Sequence, residues 1–99
     1  MTYSVNFSPN AESDLAAIAE YIARDSPSRA RSFVAELRDR LDRKLSTFPS
    51  SGVSVGTLRY TVFGNYVAIY RVNDANNAAT ILMVTEGHRN WHRLLDGLA

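Results

Sequence analysis

The side chains able to do chemistry crowd into one short stretch: Glu86, His88, Arg89 and His92 lie within seven residues, with Trp91 among them. His88 and His92 are the groups that titrate near neutrality without a large shift, and four residues apart on a helix they would share a face. Hydrolysis of RNA by acid–base chemistry needs three things. One group takes the 2′-hydroxyl proton, one protonates the leaving oxygen, and a cation holds the phosphate. Glu86, His88 and Arg89 are of those types. The opposing reading is a pair of solvated histidines beside an acid, a combination common enough to arise without a role. No metal is expected, because a third ligand at a characteristic spacing is missing. Trp91 either stacks on a base or, beside Leu94 and Leu95, closes the edge of a core, which is the more frequent use of such a residue.

A second set is cationic. Arg59 and Arg71 interrupt otherwise apolar segments, and Arg89 follows the last of them. Neighbouring strands lie only ~4.8 Å apart, so in a meander the three could converge on one patch for a phosphodiester or an acidic partner. Each could equally pair at a sheet edge. By the period-two rule Arg71 shares a face with Val67 and Ile69, and Arg59 with Thr61 and Phe63. An arginine on a buried face needs a partner or a route to water, and Arg71 is the one of the three expected to be structural.

The elements that position these residues are legible from periodicity. Tyr3, Val5 and Phe7 alternate with polar residues, which predicts a strand with one buried face. Ser8-Pro9 then reads as an N-cap followed by proline at the first helical position. A helix to about Arg24 follows, with Ala11, Leu15, Ile18 and Ile22 on one stripe. Ser26-Pro27 repeats the signal and predicts a second, antiparallel helix to about Thr47 on the stripe Ala30, Phe33, Val34, Leu37, Leu41 and Leu45. Its arginines are interleaved with Glu36, Asp39 and Asp42 at i+3 and i+4, the pattern of a salt-bridged solvent face.

Residues 50–57 carry no charge and two glycines, and are read as a flexible connector. Strands are predicted over Leu58–Phe63, Tyr66–Val72 and Thr80–Thr85, joined by reversals at Gly64-Asn65 and Asn73–Asn77. The last two lack clean alternation, which places them inside the sheet. A short C-terminal helix over Asn90–Leu98 would cover part of the face opposite the helix pair. The layout is α+β: β-α-α-β-β-β with a short terminal helix, an antiparallel sheet packed against a helical hairpin.

Length and composition set the outer limits. Ninety-nine residues, 45% hydrophobic and 21% charged, suit one domain with one core over residues 1–99 and exclude a two-domain enzyme. No apolar run approaches the ~20 residues of a membrane span. The start of the chain lacks a signal-peptide pattern and cysteine is absent, so a cytoplasmic protein is expected. Net charge is +1, yet residues 1–25 carry −3 and residues 26–49 carry +3; ten of eleven cations are Arg, and Lys44 is the single Lys. That bias suits forked contacts and leaves almost no lysine for proton transfer.

In this order and at these spacings the segments resemble the RelE/ParE superfamily of type II toxin–antitoxin toxins. The resemblance runs through Tyr3-Ser4-Val5-Asn6-Phe7-Ser8-Pro9, Asp14-Leu15, Ile18-Ala19-Glu20-Tyr21-Ile22-Ala23 and Ser26-Pro27-Ser28-Arg29-Ala30. It continues through Phe48-Pro49 with Gly52, Arg59, Tyr66 to Val72, and Gly87-His88-Arg89-Asn90-Trp91. It implies a toxin that arrests growth unless a cognate antitoxin folds onto it in a hetero-oligomeric complex. A partner that folds on binding buries much apolar surface at an ordering cost of ~2–5 kcal/mol. An exposed apolar groove along the helix hairpin or the sheet edge is therefore expected.

Two activities compete within the superfamily: RelE-like, ribosome-dependent mRNA cleavage, and ParE-like poisoning of DNA gyrase. The nuclease branch typically places Lys or Glu in the connector and often a Tyr near the C-terminus. Here residues 50–57 are uncharged and no Tyr follows Tyr70. The resemblance therefore favours the ParE-like branch, with no catalytic residue, no cofactor and no metal. Arg59, Glu86, His88, Arg89 and Trp91 form the expected target-binding surface. The alternative endonuclease would hold phosphate with Arg59 and Arg89 and move protons with His88 and either His92 or Glu86. One departure is visible: many ParE-like sequences have His-Gly-x-Arg where this chain has Glu86-Gly87-His88-Arg89.

Overall fold

The computed structural model describes residues 2–87 together with Trp91 and Arg93. The elements run β1 (Ser4–Phe7), α1 (Pro9–Ala23), α2 (Pro27–Thr47), β2 (Val53–Val55), β3 (Leu58–Phe63), β4 (Tyr66–Asn73) and β5 (Ala78–Glu86). Both helices start as their sequences dictate. Ser8 Oγ accepts from the Ala11 N–H at 3.1 Å and Ser26 Oγ from the Arg29 N–H at 3.3 Å, satisfying donors that a first helical turn otherwise leaves orphaned. Pro9 and Pro27 occupy the first turns, where a missing N–H costs nothing.

The strands form one sheet in the order β1-β5-β4-β3-β2, with β4 and β5 inside it as their continuous apolar runs require. Gly64-Asn65 makes the two-residue reversal between β3 and β4, and Gly64 takes a φ of +54° that glycine adopts without a Cβ clash. The 73–77 reversal closes with Asn73 Oδ1 accepting from the Asn76 N–H at 3.2 Å.

Two features extend the expected layout. The sheet is mixed, because β1 lies parallel to β5, the long excursion through both helices bringing the chain back in the same direction. The supposed flexible connector also contains an edge strand, β2, paired antiparallel with β3.

The helix-covered face buries Leu15, Leu37, Leu41, Leu45, Tyr70, Ile81 and Val84 in one cluster. The opposite face gathers Leu58, Val67, Ile69 and Trp91. Trp91 and Arg93 have helical backbone; the remainder of the expected Asn90–Leu98 helix lies outside the described residues. Between Ile69 and Tyr70 the β4–β5 register shifts, so that Ile69 faces Met83 and Tyr70 faces Ile81. Leu82 is the extra residue of this bulge.

Beyond Phe7, where β1 ends, α1 takes over the edge of β5. The Leu82 carbonyl accepts from Ser8 Oγ and Asn10 Nδ2, both at 3.2 Å, and the Val84 N–H donates to Asp14 Oδ2 at 2.9 Å. No described helix is long and apolar enough to cross a membrane.

Candidate functional site

Arg59 stands opposite Tyr70 on the helix-facing side of the sheet, at the end where the chain leaves α2. Tyr70 is fully buried. Its hydroxyl donates to the Pro49 carbonyl at 2.8 Å and accepts from the Gly52 N–H at 2.9 Å. Arg59 Nη1 donates to the carbonyls of Ser50 at 3.1 Å and Gly52 at 2.9 Å. The two side chains thus grip residues 49–52 and deliver the chain into β2. A Cβ at Gly52 would lie 2.5 Å from Tyr70 Oη and 2.6 Å from the Tyr60 carbonyl, so the position demands glycine.

Burial pushes the Tyr70 phenol above its ordinary range. The Gly52 N–H, the Arg59 charge and Ser51 pull it partly back. Beside this clasp is a polar hollow of about 200 Å³ lined by Ser50, Ser54, Thr57, Arg59 and Asp74. Asp74 Oδ1 accepts from the Tyr3 hydroxyl at 2.6 Å. Such a hollow can hold a small polar group; among the described residues its lining carries one carboxylate and no imidazole or amine.

Glu86 closes β5 opposite Tyr66, at the other end of the sheet. It shares a cleft of about 180 Å³ with Asp14, Ile18, Tyr21 and Tyr66. The Tyr66 phenol is pushed up by burial first, then by the negative charge of Glu86 and by Tyr21. Counting four residues along β4 and two strand spacings, Arg59 and Glu86 are roughly 16 Å apart.

Of the expected target-binding set, the described members Arg59, Glu86 and Trp91 are set apart from one another. Arg59 and Glu86 occupy opposite ends of one face. Trp91 lies on the other face, 7% exposed, its ring edge-on to Tyr60 with centroids 4.5 Å apart. His88, Arg89 and His92 lie outside the described residues. The anticipated meeting of Arg59 and Arg71 is corrected by the pleat: Arg71 follows Tyr70 in β4 and so points to the face opposite Arg59, where it is exposed. Among the described residues no three His, Cys, Asp or Glu side chains are grouped to hold a metal.

The sequence matches the model of the ParE toxin of the type II toxin–antitoxin system parDE over residues 5–91. The chain belongs to the ParE toxin family. Solved structures agree in fold. A chromosomal ParDE system from P. aeruginosa is 21% identical, covers 86% of this chain and 96% of its own, and superposes with a TM-score of 0.72. The RelBE2 toxin–antitoxin complex of Mycobacterium tuberculosis is 22% identical over 87% of this chain and 99% of its own, with a TM-score of 0.63. A mutant E. coli RelE toxin in the free state, 13% identical, covers both chains fully with a TM-score of 0.69. No curated protein matches the sequence.

This ParE-family chain also has the apolar groove expected along its helical hairpin. Ala19 and Ala23 of α1 face Ala30, Val34 and Ala35 of α2 across an open trough of about 550 Å³, with Glu20, Arg31 and Arg38 among its lining. Small residues at i, i+4 on α1 are the sequence signal for it, since alanines leave room between helices that leucines would fill. The Tyr70–Gly52 clasp had no local signal, its two residues being 18 positions apart.

Proposed function

We propose that this toxin arrests growth by binding a large cytoplasmic target, DNA gyrase, without chemistry of its own, and that a cognate antitoxin neutralises it. The observation that carries this reading is the state of Arg59. The arginine that would clamp a scissile phosphate donates from Nη1 to the Ser50 and Gly52 carbonyls, and among the described residues the hollow beside it offers a single carboxylate, Asp74, for proton transfer. That favours recognition over cleavage. The target surface is assigned to Glu86 at the end of β5 and to His88, Arg89 and Trp91 after it, with Arg59 shaping the far end of the sheet.

The antitoxin is assigned to the trough between α1 and α2. Its apolar floor and its acidic and basic flanks suit an amphipathic segment that orders on contact. The ParDE and RelBE relatives, which are toxin–antitoxin systems, support such a partner.

Induced expression without antitoxin tests the proposal, with plasmid supercoiling and mRNA integrity read in the same cells. Growth arrest with impaired gyrase supercoiling and intact transcripts is expected. Arrest with mRNA cut on ribosomes would replace it by the RelE-like endonuclease reading. Absence of arrest would remove the toxic activity altogether.

A further inference from the structure

The two edges of the sheet differ. At one, the Tyr3 N–H just ahead of β1 donates to the Ser46 carbonyl at 2.8 Å, so α2 engages that edge. The other edge is β2, and it is open. Val55 and Leu58 flank a two-residue turn, Gly56-Thr57, in which Gly56 takes a φ of +61°. They therefore exchange the hydrogen bonds that close the hairpin, and Val53 with Tyr60 forms the next bonded pair. Ser54, opposite Arg59, is left with its N–H and C=O pointing away from β3. Among the described residues no further backbone partner reaches either group.

The register also sorts the side chains. Val53 shares a face with Tyr60 and Val55 with Leu58, on the side away from the helices, while Ser54 shares the helix side with Arg59. Val53 is 54% exposed and Val55 37%. Monomeric proteins stop such an edge from templating another chain with a lysine, a proline or a bulge. None of these interrupts β2, and residues 50–57 carry no charge.

We propose that β2 pairs with β2 of a second copy of this chain, antiparallel about a two-fold axis through Ser54. Val53-Ser54-Val55 reads alike in both directions, so one patch serves both sides, as an isologous contact requires. Ser54 exchanges two N–H···O bonds with Ser54 of the second copy. Val53 then faces Val55 of the second copy in a non-hydrogen-bonded pair, with Cα atoms ~4.5 Å apart, and the four valines cover one another. On the helix side Arg59 and Ser54 form one row with their counterparts, so the polar hollow lined by Ser54 and Arg59 gains a second hydroxyl. The two arginine positions are three strand spacings apart, ~14 Å, beyond the Debye length of ~8 Å at physiological salt, and their repulsion is screened. Three residues a side bury well under the ~1,200 Å² at which stable interfaces begin. The pairing is therefore reversible and follows protein concentration.

The inference stands apart from the toxin reading, because its test reads mass and not growth. In sedimentation equilibrium the average mass of the intact protein should rise from the monomer toward twice that value between about 10 μM and about 1 mM. Ser54→Pro removes the outward N–H and leaves both bonded β2–β3 pairs in place; Val53→Lys sets a charge beside the axis. Each should raise the dimer dissociation constant by about tenfold or more. Val62→Lys should leave it unchanged, since Val62 is as exposed and on the same face but lies in β3 beyond the end of β2. In a mixture of labelled and unlabelled wild-type protein, Val53 methyls should contact Val55 methyls of the other copy, and Ser54 amide exchange should slow as concentration rises. These two readings locate the interface even if a variant does not fold. A monomer still at about 1 mM, undiminished association of the folded variants, an equal loss in Val62→Lys, or intercopy contacts away from β2 would overturn the inference.

Discussion

Replacing Tyr70 by Phe removes one oxygen from a fully buried ring and leaves the apolar packing in place. That oxygen makes two hydrogen bonds, one donated to the Pro49 carbonyl and one accepted from the Gly52 N–H. A typical intramolecular hydrogen bond contributes ~0.5–1.5 kcal/mol net, and the abandoned partners here are part-buried, so a loss of roughly 1–3 kcal/mol is expected. At about 4–8 °C per kcal/mol for a domain of this size, a 2 kcal/mol loss lowers Tm by about 8–16 °C.

Thermal and urea denaturation give the global number, and amide exchange adds the local one: protection in residues 49–55 should fall more than in α1. Gly52→Ala provides the cross-check. Its Cβ would collide with Tyr70 Oη and the Tyr60 carbonyl; removing the hydroxyl relieves only the first contact, so the alanine should cost less in a Tyr70→Phe background. A Tyr70→Phe loss below about 0.5 kcal/mol, or strictly additive effects of the two substitutions, would refute the clasp as the element that holds β2.

Three further outcomes follow from the same geometry. Ser8→Ala should cost about 1–2 kcal/mol in chemical denaturation and Ser26→Ala less, because Ser8 both caps α1 and donates to the Leu82 carbonyl whereas Ser26 caps an exposed turn. Asp14→Ala strands the Val84 N–H at the uncovered part of β5; a loss of roughly 1–3 kcal/mol with faster exchange at that amide is expected, and an unchanged Val84 amide would contradict it. Tyr66 and Tyr70 both have raised phenol pKa values. Their contribution to stability is complete below the unfolded value of about 10 and is lost as pH rises through the folded values. Tm should therefore fall above about pH 10, and less steeply in a Tyr66→Phe, Tyr70→Phe double variant, as scanning calorimetry can check.

The local elements of this protein are written locally. Ser8-Pro9 and Ser26-Pro27 start the two helices because a cap and a proline satisfy or remove donors within one turn of themselves. Ala30, Leu37, Leu41 and Leu45 are buried as a 3.6-residue stripe demands. Even the order of the sheet's middle is foreshadowed, since an unbroken apolar strand has two covered faces. The family resemblance in the sequence is likewise carried by short segments in a fixed order.

What tertiary structure decided is everything that depends on partners far along the chain. Val53-Ser54-Val55 alternates like a strand but is too short to announce one; β2 pairs with β3 just past the residues that Tyr70 and Arg59 hold. The parallel seating of β1 beside β5 joins segments more than seventy residues apart, with no local pattern to announce it.

Arg59 is the sharpest case. Its type and position in sequence suggest a phosphate ligand, but a guanidinium donates to whichever acceptors the fold brings within reach. Here the fold brings two backbone carbonyls of the connector. The sequence by itself determined which residues are able to bind and what local structures carry them. Hydrogen-bond partnership is settled over distances of about 3 Å, and the assembled fold alone determines which groups come that close.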